Sequence, residues 1–267
     1  MDNAMLTLRN PFTGDPVPLR TTRGAMLTLG CALPADITTF TLVRALLIAD
    51  VLRRILEDLH DVQVISAVLS DDPDILERVG THLSTVRPPA GVFDSPAAAR
   101  AALGRDPDVL VTPRHSAEDH PLNRIPRATT VVRVAAVHWV APGRHCEPDP
   151  ATVRYAFTQA PYEYELVLTG AVLDHSAAQL DRWRRRMGEW SRSASRPIPA
   201  WWRARAIADL DDDLDVAAAA ERMNRLELST TVEPGAKFEA FAFLDRILAI
   251  DLARDLGRMS RQPAPVR

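Results

Sequence analysis

Two short apolar runs bracket a long helical segment near the start of the chain, and this grammar constrains the fold more than any other feature. Residues 24–33, GAMLTLGCAL, are an apolar run bounded by glycine and proline, which reads as a buried strand of a parallel sheet. After the turn at Pro34, Ala35 and Asp36, residues 41–59 place Leu42, Ala45, Leu46, Ala49, Leu52, Ile55 and Leu59 at helical spacing, which predicts an amphipathic helix. Residues 62–70, VQVISAVLS, supply the next strand, and DDPDILERVGTHL supplies an acidic first turn followed by a helix. Strand, helix, strand, helix is the alternation of an α/β domain.

The character changes along the chain. A helix over 95–103, an apolar run over 109–112 and a strong strand over 129–140, TTVVRVAAVHWV, continue the α/β pattern. Beyond Pro150 the spacing predicts helices over 151–159, 169–193, 200–209, 216–227 and 236–256. The expected organisation is an α/β domain over 1–145, a helical domain over 146–260 and a flexible tail over 261–267. No internal repeat is visible.

Composition narrows the function classes. With 267 residues, 46% hydrophobic and 25% charged, the chain has material for a globular core without disulfide staples. A formal charge of -3 argues against a dedicated polyanion binder and leaves local basic faces open. Among 32 basic side chains only Lys237 is a lysine, which fits the coding bias of a GC-rich genome and leaves lysine chemistry one candidate. Two cysteines, Cys31 and Cys146, suit a reducing compartment, and the polar start MDNAMLTLRNPFTG does not look like a secretory leader. With no apolar run long enough to span a bilayer, a cytoplasmic address without membrane association is expected. Glycine-rich phosphate loops, nucleophile elbows and HExxH or CxxC motifs are not found, so enzyme classes built on them gain no support.

Specific phrases resemble a known family. The segment MLTLGCALPADITTFTLVRALLIADVLRRILEDL is similar to the first strand, loop and helix of cysteinyl-tRNA synthetases and of the mycothiol-pathway cysteine ligases. Cys31 matches the family cysteine after that strand, and Asp50, Val51, Leu52, Arg53 and Arg54 match a phrase that closes its helix. LRNPFTGDPVPL resembles the family's opening strand and turn, and VQVISAVLSDDPDIL its second strand and Asp-rich turn. Later, PATVRYAFTQAPYEYELVLTGAVLDHSAAQLDRW resembles the stretch after the KMSKS loop, with its valine-arginine-tyrosine motif, and IADLDDDLDVAAAAERMNRL resembles the start of the helical domain. The matched regions cover roughly half the chain in the family's order. The resemblance implies a Rossmann-like (HUP-type) parallel-sheet domain followed by a C-terminal helical domain.

The family's site residues transfer poorly. The HIGH signature falls on Thr39, Phe40, Thr41 and Leu42, so both histidines that donate to ATP phosphates are replaced, and so is a glycine. The KMSKS loop falls on APGRHCEPDP, where Arg144 is the only cation beside Glu147 and Asp149. For the family's zinc site, Cys31 matches one ligand and Glu118 another, whereas Arg114 stands where a ligand histidine belongs. His115, Glu118 and Cys31 remain as substrate-binding candidates, with Cys31 and Glu118 the residual metal candidates. ATP and zinc are therefore implied by the resemblance alone, and neither cofactor is expected to be used.

Other clusters carry competing readings. His115, Asp119, His120, His138, His145 and Cys146 read first as polar loop residues, with a rebuilt metal site from Cys31, His115 and Cys146 as the sharper option. Arg182, Arg184, Arg185 and Arg186 interleave with Trp183 and Trp190, with Trp201 and Trp202 beyond. The seven-residue spacing of the first two tryptophans reads as one buried helix face, and the arginines Arg184 and Arg185 as RNA contacts in the alternative. Asp211, Asp212, Asp213 and Asp215 read as a helix N-terminus. Together these expectations describe a synthetase-like pseudoenzyme that binds a protein partner, a small molecule or nucleotide, or tRNA. The alternatives are an active ATP-dependent ligase with a rewired site and a plain tRNA-binding module.

Overall fold

A computed structural model describes residues 4–20, 24–83, 85–114, 129–140 and 148–256. The chain opens with a hairpin, β1 (Ala4–Arg9) and β2 (Pro16–Arg20), whose turn is held where Asn10 Oδ1 accepts the N–H groups of Phe12 at 2.9 Å and Thr13 at 3.3 Å. The alternating elements that follow are β3 (Met26–Ala32), α1 (Thr39–His60), β4 (Gln63–Leu69), α2 (Ile75–Gly80), β5 (Val92–Phe93), α3 (Pro96–Leu103), β6 (Val109–Pro113) and β7 (Thr130–Val134). Among the described residues the five strands lie in the order β5-β4-β3-β6-β7, all parallel, so the winding reverses between β3 and β6. This is a Rossmann-like α/β sheet, and a helical region follows it.

The local chemistry explains the elements. β3 is apolar and buried along most of its length because both faces of a parallel sheet are covered. Its one hydroxyl, Thr28, is satisfied by Asp108, which accepts both the Thr28 N–H at 2.8 Å and its Oγ1 at 2.9 Å. A Cβ on Gly30 would sit 2.9 Å from Leu110 Cδ1, so glycine permits the close approach of β6. Helix α3 shows its boundaries in the sequence: Ser95 accepts the Ala98 N–H, Pro96 occupies the first turn, and Gly104 ends the helix at φ +76°.

Three elements differ from the sequence reading. The run over 129–140 is two strands, because the chain turns out of the sheet at Ala135 and Ala136, and β8 (Val137–Trp139) pairs instead with β9 (Leu166–Leu168). That departure is anchored from outside: Ala135 donates to the Tyr162 carbonyl at 2.9 Å, and the Val137 N–H donates to Thr41 Oγ1 at 2.9 Å. The last helix, α8 (Pro234–Leu248), ends eight residues early, at Ala249 in the left-handed conformation (φ 50°). Asp245 draws the chain back there, accepting the N–H groups of Ile250 at 3.1 Å and Leu252 at 3.0 Å. Finally, α1 is not amphipathic in place. Every residue from Thr41 to Leu52 is buried, Arg44 and Asp50 included.

The reason is the layer above it. Helices α4 (Pro150–Phe157), α5 (Gly170–Trp190), α6 (Ala200–Asp211) and α7 (Val216–Leu228) join α8 to form the helical region, and α1 lies between that region and the sheet. A helix covered on both sides buries its whole circumference. Trp183 and Trp190 do form one buried face of α5, packed edge-on against Phe241, with Tyr155 meeting Trp183. Among the described residues, no helix is long and apolar enough to cross a membrane.

Candidate functional site

In an open parallel sheet, ligands settle beyond the carboxyl ends of the strands where the winding reverses. Here that crevice lies past Ala32 of β3 and Pro113 of β6, and the chain leaving β3 runs straight into it before entering α1. The connecting loop is tied down at several points. Leu33 donates to the Leu69 carbonyl at 2.8 Å, Ser70 Oγ returns a bond to the Leu33 carbonyl at 2.7 Å, and Ala35 donates to Asp71 at 2.9 Å.

The first turn of α1 is built for packing. Phe40 stacks on Trp139 with ring centroids 4.6 Å apart, lies 5.0 Å from the His82 ring and meets Phe157 edge-on at 6.5 Å. Leu42 is fully buried. Thr41 is buried too, and its hydroxyl accepts the Val137 N–H at 2.9 Å and lies 2.8 Å from Thr38 Oγ1. Thr39 is half-buried. This turn offers an aromatic wall and an occupied hydroxyl, not a set of donors aimed at an anion.

Cys31 lies deeper. It is walled by Leu29, Leu46, Ala49 and Val68, and burial pushes its thiol pKa up to about 12. The cleft beside it is lined further by Asp50, Arg53, Ser66, Arg87 and Pro89. Cys31 is thus a buried, neutral thiol. Among the described residues no group of three or more His, Cys, Asp or Glu side chains converges as a metal site. His115, Glu118, Arg144 and Cys146, with Asp119, His120 and His145, lie outside the described residues.

The two arginines read as RNA contacts part company. Arg184 is buried and donates to the carbonyls of Asp251 at 3.1 Å and Ile250 at 3.2 Å, so its guanidinium closes the C-terminal turn. Arg185 is exposed on the same helix. Their neighbours Arg182 and Arg186 pair with Glu227. The acidic run is likewise divided, and only Asp215 caps a helix, accepting the Ala218 N–H at 2.9 Å. Asp211 ends α6 and meets His60 Nε2 at 2.7 Å, while Asp213 accepts the Arg9 N–H at 2.8 Å and the Tyr162 hydroxyl at 2.5 Å.

The polar centre that sequence reasoning did not pick out is buried between the layers. Asp50 of α1 receives Arg154 of α4 on one oxygen, together with Arg54 Nε at 2.8 Å, and the Arg87 N–H on the other at 2.9 Å. Burial alone would raise the Asp50 pKa, but the Arg154 and Arg54 charges and the Arg87 N–H outweigh it and hold the carboxyl below its ordinary value. Arg154 also donates to the Leu248 carbonyl, and Arg54 to the Arg246 carbonyl at 2.9 Å, so both helices are tied to the end of α8. Arg44 plays a similar part higher on α1. Its guanidinium donates to the carbonyls of Tyr164 at 2.7 Å and Pro161 at 2.8 Å, and burial lowers its pKa to about 10. The signal was present in the sequence: Asp50 and Arg154 sit in the two phrases that carry the family resemblance, 104 residues apart. No family model matches this chain, and no curated protein matches it.

Proposed function

We propose that this protein is a degenerate relative of the cysteinyl-tRNA synthetases and cysteine ligases that works as a binding or regulatory protein rather than by forming an adenylate. The observation that carries this reading is the first turn of α1. Where the resemblance sets the ATP-gripping signature, Phe40 is stacked on Trp139, Leu42 is fully buried and the Thr41 hydroxyl is engaged by the Val137 N–H. The neutral, buried Cys31 thiol supports it from the amino-acid side. Adenylation needs donors poised on phosphate oxygens as charge develops, and here Thr39 and Leu42 stand where the resemblance sets the two histidines that supply them.

The deciding experiment is cysteine-dependent exchange of pyrophosphate into ATP by the purified full chain, run beside a thermal-shift series with ATP and a cysteinyl-adenylate analogue. The expected result is background exchange and no stabilisation by the analogue. Measurable exchange, or a rise in Tm that follows analogue concentration, overturns the reading in favour of an active ligase.

A second reading, tRNA binding, draws on the exposed Arg185 and on Trp201, 62% exposed at the start of α6. Its test is the salt dependence of tRNA binding in the native chain and in Arg185→Glu. A substitution at Arg184 is uninformative because that side chain holds the C-terminal turn. Binding that falls steeply with salt and weakens in Arg185→Glu would favour tRNA as the bound partner.

A further inference from the structure

We draw no further inference here: the strongest candidate, the surface groove between the Asn10–Phe12 turn and the first residues of β7, lined by Val17, Thr129, Thr130 and Val131, carries nothing because nothing in the structure shows what covers it.

Discussion

Lys237 spans the gap between α7 and α8 as a compact donor. Its ammonium reaches the carbonyls of Glu227 at 2.9 Å and Ser229 at 2.6 Å, at the open end of α7, and lies 5.5 Å from the Trp190 ring centroid. Burial lowers its pKa, and the Arg186 charge adds to that. In a chain whose other basic side chains are all arginine, the site suits an ammonium and not a planar fork. Lys237→Arg keeps the charge and is nevertheless expected to cost about 1–2 kcal/mol, since one carbonyl loses its donor; a shifted urea midpoint at constant slope checks it. Gly235, two residues earlier, has an equally local explanation. A Cβ there would lie 2.0 Å from the Ala194 carbonyl oxygen, so Gly235→Ala is expected to destabilise by about 1–3 kcal/mol by forcing the 191–199 loop off α8. A Tm that does not fall would contradict that account.

At the scale of elements, the buried ion cluster joins α1, α4 and the end of α8. Removing one partner strands the other charge, so Asp50→Asn is expected to cost about 3–5 kcal/mol. Replacing Asp50 and Arg154 together by Leu and Met should cost clearly less than the sum of the single changes, which a double-mutant cycle measures. The pH dependence has a definite sign. A carboxylate held low in the fold stabilises the native state above its unfolded pKa, near 4, and that stabilisation drains away as pH falls through the folded value. Asp245 acts in the opposite direction, because burial raises its pKa, so its contribution is largest in acid and fades as pH rises through the folded value. Asp50→Asn should therefore flatten the acid limb of the stability curve, read as a smaller change in denaturant midpoint between about pH 5 and pH 2. The first turn of α1 gives a further prediction. Placing histidine at Thr39 and Leu42 should not produce pyrophosphate exchange, and Leu42→His should lower Tm, because the imidazole replaces a fully buried leucine.

At the scale of the molecule, the helical region is a second layer over α1 that shares one apolar core with it, and polar anchors reinforce the join. Arg44 holds the 160–164 turn, Asp50 holds α4, His60 holds the end of α6, and Asp213 gathers the β1 backbone and Tyr162. The two layers should consequently unfold together, giving coincident near-UV and far-UV transitions; a separated early transition would show the helical region to be independent. The α/β alternation, the parallel sheet and most helix positions were legible in the sequence, because apolar period and capping residues such as Ser95, Gly104 and Asp215 act over a few residues. The break in the 129–140 run was not legible, since its cause is Thr41 and Tyr162, far away in the chain. Nor was the split between Arg184 and Arg185, adjacent residues of one type that differ only in which side of α5 they occupy. Sequence alone determined the period of each element and the phrases that resemble a family. Tertiary structure decided that α1 is covered on both sides, that Phe40 stacks on Trp139, and that Asp50 and Arg154 meet in the interior, because burial and pairing depend on what lies opposite each side chain.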